Sequence, residues 1–464
     1  MGINVQKFGG TSVGGSEKLG KSAVEAMNAV ADIVKGAESP VVVASALSGV
    51  TDQLLKMLDE AANKGDWQKT FGAMRKRHED LIIALGIQVE LDDVFKNLYN
   101  WMEGISYLPN EAKDAVVIDK VQVTGERLSN PILAAYLKKL GLDAEFVDAS
   151  ELIFMKDRFG KVDCKKTNFA VQEKLAPMIN AGKIPVITGF LGNSTDGKII
   201  SLGRGGSDYT ASIIGAALKE GGLAVDSIEI WTDVDGVFTA DPKIVPNAIL
   251  LEQASCDEVS QLANDGGKVL FPGTMEPAIR AKIPIKVRNT FNPEAAGTIV
   301  DSEQRLTLKA ITRKKGVRII TVKTPDMFGS PGFLAKMYKI FENHGVSVDF
   351  ISCATNEVSS SVNGVISEVL LEDLRTLVDN PELVSVKINQ AVISLVGHGI
   401  HTDDYVSARF LRAANGAKPS LVSLSTSGTN LTIIVDEDLA DDIVRSVHAE
   451  FFDNKNGSAK QEAV

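Results

Sequence analysis

A lysine followed closely by paired glycines, Lys7-Phe8-Gly9-Gly10-Thr11-Ser12, is the first place where residue types and spacing could do chemistry. Glycines let a main chain approach phosphate oxygens closely, and amides at the start of a helix present partial positive charge to an anion. A lysine at the end of a strand adds a mobile point charge. The lysine precedes the glycines, so this is not a Walker-type loop; alone it also reads as a tight turn beside a solvated lysine. A second loop, Gly203-Arg204-Gly205-Gly206-Ser207-Asp208, opens a predicted helix. Its arginine could clamp a carboxylate bidentately, and its aspartate could hold a lysine or Mg²⁺ in place; the bland alternative is a flexible connection capped by Ser207. A third segment, Thr232-Asp233-Val234-Asp235-Gly236-Val237-Phe238 with Asp241-Pro242-Lys243 behind it, follows a strand and suits nucleotide binding at a sheet edge, or a structural turn. Ser45–Thr51 carries three hydroxyls, and Thr124-Gly125-Glu126-Arg127 places an acid at a helix start; each alone is more often a cap than a ligand contact.

These segments need a framework, and the pattern of apolar residues supplies one. Short apolar runs at Ile3–Phe8, 41–44, Ile184–Thr188 and 228–232 alternate with helical patterns over the first ~300 residues, which predicts an α/β domain with a mainly parallel sheet. Leu19, Ala23, Ala26, Val30 and Ile33 mark a crossover helix, and 127–140 and 209–219 read as two more. Residues 54–105 carry only helical spacing and form a helical excursion from the sheet, without assigned chemistry. Beyond Pro293 the composition changes. Phe333-Leu334-Ala335 and Val406-Ser407-Ala408 open two similar units, an internal repeat of α+β type related to the ferredoxin-like pattern. The second unit lacks a last strand, and 306–312 is expected to fill that gap, so that the first unit is inserted within the second. The expected organisation is 1–300 as one domain with the excursion at about 52–120, 316–390 as a first module, 306–315 plus 391–453 as a second, and 454–464 as a flexible tail.

Acidic residues outnumber basic ones, 60 against 49, for a net charge of −11 over 464 residues. That balance argues against nucleic acid or an anionic membrane as partner. Cys164, Cys256 and Cys353 are scattered, which points to a reducing, cytoplasmic setting with no disulfide framework and no zinc site. No apolar run approaches the ~20 residues of a membrane span.

Taken in order, KFGGTSV, SALSGVT, GERLS, GRGGSD, TDVDGVFTADP and GGKVLFPGTMEPA resemble the aspartate kinases of the amino-acid kinase family, and the likeness spans essentially the whole chain. The resemblance implies a three-layer α/β kinase domain followed by two ferredoxin-like ACT modules, and ATP-dependent phosphorylation of the L-aspartate side-chain carboxylate with Mg²⁺. It implies that Lys7 stabilises the transferring phosphoryl group and Asp208 orients Lys7. Arg204 would grip the aspartate α-carboxylate and Glu126 its ammonium, with Ser45, Thr51 and Ser207 hydrogen-bonding the substrate. Gly9, Gly10 and Ser12 would lie at the phosphates, and Thr232, Asp233, Phe238, Lys243 and Lys268 would line the ATP pocket. Phe238 and Lys243 stand where many relatives have Tyr and Arg, and Phe271 where a histidine is common.

For regulation the resemblance points to the first module: Met327, Ser330, Gly332, Phe333, Leu334, Val348, Asp349, Glu357 and Val358, with the two acids suited to a cationic effector such as L-lysine. The excursion before Glu126 is similar to that of the lysine-inhibited, homodimeric class, joined through the ACT modules and possibly tetrameric. Two other readings stand beside this one: another amino-acid kinase, acting on glutamate or acetylglutamate, and an amino-acid sensor that has lost the chemistry. A carboxylate with an ordinary pKa near 3.9 is already an anionic nucleophile at neutral pH, so no general base is required; the five histidines lie outside the motifs.

Overall fold

The computed structural model describes residues 2–453 apart from 157–160, 267–269, 271, 328–329, 402–404 and 415. Lys268, Phe271 and the tail 454–464 therefore lie outside the described residues. Contacts divide the chain into two units, one of Met1–Val237, Leu250–Cys256 and Val269–Ser302, the other of Phe238–Ile249, Asp257–Lys268 and Glu303–Val464. Where composition suggests one break near 300, the units interleave: the Phe238–Ile249 segment belongs with the second.

The first unit is built on β1 (Ile3–Phe8), β2 (Pro40–Ala44), β3 (Ala144–Val147), β4 (Phe154–Met155), β5 (Ile184–Thr188), β6 (Leu191–Ser194), β7 (Ile199–Ser201), β8 (Val225–Thr232), β9 (Gln253–Ser255), β10 (Ile285–Asn289) and β11 (Thr298–Asp301). Eight of these form one sheet in the order β3-β5-β2-β1-β8-β10-β11-β9, and β4-β6-β7 form a small second one. Only the β10–β11 pair of the large sheet is antiparallel. Every residue of β2 (PVVVA) and β5 (IPVIT) is buried, as strands covered on both faces must be. The crossover helix Ala23–Gly36 starts at a capping box in which Ser22 and Glu25 satisfy each other's main-chain amides. The excursion comprises helices Val50–Ala62, Trp67–Leu85 and Asp92–Tyr107, then Ala115–Gln122. Trp67, Phe71, Met74, His78, Leu81 and Leu85 bury one face of the second helix. The apolar ones among them join one core with Met27, Val30 and Val42, so the excursion is part of the domain's interior and not a separate lobe.

The second unit carries a six-stranded antiparallel sheet, formed by β12 (Ala310–Lys323), β13 (Val348–Ala354), β14 (Glu357–Val362), β15 (Val384–Val396), β16 (Leu421–Leu424) and β17 (Asn430–Asp436) in the order β13-β14-β12-β15-β17-β16. Two ferredoxin-like ACT modules share it. The first takes β13, β14 and the C-terminal part of β12 with helices Phe333–Asn343 and Glu368–Val378; the second takes β16, β17 and the C-terminal part of β15 with helices Val406–Ala413 and Ala440–His448. The first residues of β12, Ala310 to Lys314, pair with Val396 to Val392 beside the second module. Thus β12 and β15 are unbroken strands that serve both modules, with a register shift between Lys314 and Ile319. The strand begins at Ala310 and not at Leu306, which is 71% exposed and sits at the centre of a local turn in which Thr307 N–H donates to Arg305 O.

The Phe238–Ile249 segment is built into this unit. Ala240, Ile244 and Val245 pack with Ile311, Ile393, Phe410 and Val447 in the second module's core. Thr239 Oγ1 lies 2.9 Å from His448 Nε2 and accepts from Ile249 N–H at 2.9 Å, while its carbonyl accepts from Ile311 N–H at 2.8 Å. Burial lowers the pKa of His448, which favours the neutral ring. Among the described residues no helix is long and apolar enough to cross a membrane.

Candidate active site

Lys7 extends from the C-terminal half of β1, whose neighbours are β2 and β8. Its Nζ sits 2.7 Å from Asp208 Oδ1, both side chains largely buried. Asp208 occupies the first turn of helix Gly206–Glu220. That helix starts three residues before the Tyr209 expected from the sequence, because Gly205 adopts φ +72° and turns the chain into it. Ser207 is therefore inside the helix, not its cap. It is buried, and its Oγ accepts from Ser45 Oγ at 3.0 Å. Arg204 stands exposed between Gly203 and Gly205, both with positive φ, and meets no carboxylate among the described residues.

The first glycine loop lies across the sheet's C-terminal edge. Gly9 N–H donates to Trp231 O at 3.1 Å and leads into the short helix Gly10–Gly14. Ser12 Oγ donates to Trp231 O at 3.2 Å and lies 2.7 Å from Thr290 Oγ1. Fully buried and doubly bonded, that hydroxyl ties the loop to the sheet, leaving the amides beyond Gly9 at the start of the short helix as the loop's candidate anion donors. The hydroxyl segment Ser45–Thr51 lies against it. A Cβ on Gly10 would fall 3.1 Å from Ala46 O, and one on Gly14 2.2 Å from Ser48 N, so glycine is required for the two main chains to meet. Thr51 sits in the first turn of helix Val50–Ala62, entered through Gly49 at φ +76°. Thr232 ends β8 with Asp233 exposed beside it. Phe238 and Lys243 belong to the second unit, Lys243 exposed and its N–H bonded to Asp241 Oδ1 at 2.9 Å.

Glu126 is the site's electrostatic anomaly. It is buried at 3% exposure, in the first turn of helix Thr124–Lys139, and caps nothing there. Its Oε1 accepts from Ala46 N–H at 3.1 Å, while its Oε2 is buried with no hydrogen-bond partner. Burial pushes its carboxyl up to about 8, against two main-chain hydrogen bonds that pull the other way. A buried acceptor without a donor marks a place where a cation can be held. The same helix grips the hydroxyl segment with two further side chains: Ser129 Oγ donates to Ser45 O at 2.8 Å and Asn130 Nδ2 to Ala44 O at 3.0 Å. The sequence assigns Ser129 and Asn130 no role; only their helical spacing from Glu126 hints that all three share one face.

Residues 2–289 match the family model described as Amino acid kinase family. Aspartokinase 1, chloroplastic, of Arabidopsis thaliana is 33% identical over 477 residues, which covers 97% of this chain and 80% of that protein. The chain belongs to the amino acid kinase family, among the aspartokinases. Lysine-sensitive aspartokinase 3 of Escherichia coli (strain K12) is 29% identical, covering 97% of this chain and 99% of that one. The crystal structure of E. coli aspartokinase III in complex with aspartate and ADP superposes with TM-score 0.80 at 27% identity, covering 97% of this chain and 100% of that one. The same enzyme with lysine and aspartate gives 0.77 at 27% identity, covering 97% and 99%. The span matched by the family model contains Lys7, Asp208 and Glu126.

The regulatory candidates lie in the first ACT module. Gly332, at φ +87°, starts helix Phe333–Asn343 with no side-chain cap. Met327, Phe333 and Val348 are partly buried against the module's core, Val358 is fully buried in it, and Ser330 and Leu334 are exposed. Both candidate acids already have partners: Asp349 pairs with Lys314 at 2.8 Å and Glu357 with Lys323 at 3.1 Å. Among the described residues no three His, Cys, Asp or Glu side chains come together to hold a metal ion. Asp208, a carboxylate beside the glycine loops, is an oxygen donor of the kind that fits a Mg²⁺ carried on nucleotide phosphates.

Proposed function

We propose that this site transfers the γ-phosphoryl group of ATP to the side-chain carboxylate of L-aspartate, giving 4-phospho-L-aspartate. The observation that carries the reading is the buried Lys7–Asp208 pair at the junction of two glycine loops, one contact chain away from an unpartnered carboxyl oxygen of Glu126. Asp208 is followed back to Ser207, Ser207 to Ser45, and the next residue, Ala46, to Glu126. The Gly10 amide and the Lys7 ammonium receive the phosphates, and Thr232 and Asp233, at the end of β8, face the nucleotide. Mg²⁺ carried in with the nucleotide would supply charge neutralisation of the phosphates, with Asp208 the acid held beside Lys7. Arg204, free on its loop, takes the α-carboxylate of aspartate; Glu126 takes the α-ammonium; Ser45, Thr51 and Ser207 orient the substrate.

The nucleophile needs no base. His78 is packed in the core and held down to about 4 by burial, which removes it from proton transfer at neutral pH. The main barrier is repulsion between carboxylate and triphosphate, and Lys7 with the helix N-termini offsets it. The acyl phosphate product hydrolyses in water, so the loops close around it during turnover. The first ACT module binds an amino-acid effector, L-lysine by the charge of Asp349 and Glu357, and the active form is a cytoplasmic homodimer joined through the ACT modules.

Hydroxylamine trapping of the acyl phosphate, with aspartate and glutamate compared as substrates, tests the assignment. Aspartate-dependent hydroxamate is expected. Preference for glutamate would replace the substrate, and no trapping with either would leave a sensor in place of an enzyme.

A further inference from the structure

Apart from Thr51, at the start of its first helix, the helical excursion contributes no side chain to the chemistry just described, yet one of its later residues reaches both loops that do. Arg77 lies on helix Trp67–Leu85, next to the buried His78. Its Nη1 donates to Ser48 O at 2.8 Å and its Nη2 to Gly14 O at 3.4 Å. Gly14 ends the glycine loop's short helix; Ser48 precedes the left-handed Gly49 from which the helix bearing Thr51 starts. A single guanidinium thus spans the phosphate-side loop and the aspartate-side hydroxyl segment, at the point where their main chains touch.

The choice of residue is informative. Arg77 is half-buried, its pKa lowered by desolvation, which the more distant charge of Glu17 only partly opposes, and it makes no salt bridge among the described residues. A charge desolvated for two neutral carbonyls is a poor stabiliser, and an apolar side chain of similar length would fill the space more cheaply. What arginine offers is a rigid planar fork whose separate nitrogens bond two acceptors at a fixed separation; a lysine's three donors all radiate from one nitrogen. The helix beneath is anchored over its length by Trp67, Phe71, Met74 and Leu81, so the fork is held from a fixed base.

We infer that Arg77 is a positioning residue for phosphoryl transfer, locking the two substrate loops in register, and that the excursion serves to carry it. The inference rests on the aspartate kinase reading above. In-line transfer between two separately bound substrates depends on their relative placement, and a displacement of about 1 Å costs on the order of 10²-fold in rate.

The test is steady-state kinetics with both substrates varied, alongside thermal midpoints, for the full-length parent, Arg77→Met and Arg77→Lys. Arg77→Met should lower kcat by roughly 10- to 100-fold with a midpoint at or above the parent's, and Arg77→Lys should recover part of the loss. Arg77→Ala should regain activity on addition of free guanidinium ion. A kcat within twofold of the parent in Arg77→Met overturns the inference, as does a loss that follows the midpoint downward and is not recovered by lysine. Should Arg77→Met fail to fold, Arg77→Lys decides: reduced kcat at the parent's midpoint supports the lock, and parental kcat overturns it. An inactive parent overturns the aspartate kinase reading and this inference together; an active parent with indifferent Arg77 variants overturns this inference alone.

Discussion

The two units both present acids suited to an amino acid's ammonium group, and they present them in opposite states. Glu126 in the kinase unit is sealed from water with one oxygen unpartnered and its carboxyl pushed up to about 8. Asp349 and Glu357 in the first ACT module lie near the surface, each already paired with a lysine of the chain itself. A ligand at Glu126 satisfies an existing demand, so binding there is strong for its contact area and pH-dependent. A cationic effector at the ACT acids must displace Lys314 or Lys323, exchanging one ion pair for another, so little net electrostatic energy is gained. On the proposed assignment, substrate capture would be preorganised, while effector binding would be a competition that small changes can tip.

The comparison breaks most visibly at the chemistry itself. Lys7→Ala should lower kcat by about 10²–10³-fold while effector binding, measured by calorimetry, persists. Glu126→Gln keeps the shape and removes the charge; the KM for aspartate should rise roughly 10- to 150-fold, the equivalent of about 1.5–3 kcal/mol, with the KM for ATP little changed. An equal rise for both substrates would place Glu126 outside the aspartate pocket. A third test uses pH. Below about 8 the ligand-free Glu126 holds a proton that it must lose to accept an ammonium, so kcat/KM for aspartate should climb with pH, by at most about tenfold per unit, and flatten above 8. The sign for stability is opposite. The folded chain keeps a proton that the unfolded chain releases above about 4.5, so the ligand-free enzyme loses stability as pH rises from there to about 8. Glu126→Gln should remove that slope in a thermal melt. The smallest effects belong to the ACT acids: Lys314→Met, by freeing Asp349, should lower the lysine concentration for half-inhibition a few-fold, Asp349→Asn should raise it, and folding stability should move by no more than about 1 kcal/mol.

What could be read from the sequence follows from how local the signal is. Lys7, Arg204 and Asp208 sit in short glycine-rich motifs whose function depends on neighbours one to four positions away, and the strand-to-helix junctions they mark are present. Glu126 is visible as a motif residue, but its burial and its orphaned oxygen depend on Ala46, 80 positions earlier. Arg77 meets Ser48 and Gly14 across 29 and 63 positions, and Thr239 meets His448 across 209. Such bonds between residues far apart in the chain leave no periodicity or composition to find. The interleaving of Phe238–Ile249 with the regulatory unit was hidden for a similar reason: Ile244 and Val245 are ordinary apolar residues, and only the folded chain fixes which core they enter.

The unbroken course of β12 and β15 through both ACT modules has a mechanical consequence. The two modules are joined by a stiff ladder and not by a tether, so heat should melt them together, in one transition. Displacement in one must be passed along the strands or absorbed where the pairing slips, between Lys314 and Ile319. A chain cut short before β15 would bare one whole side of a 14-residue strand, and it should self-associate in place of yielding a free-standing first module.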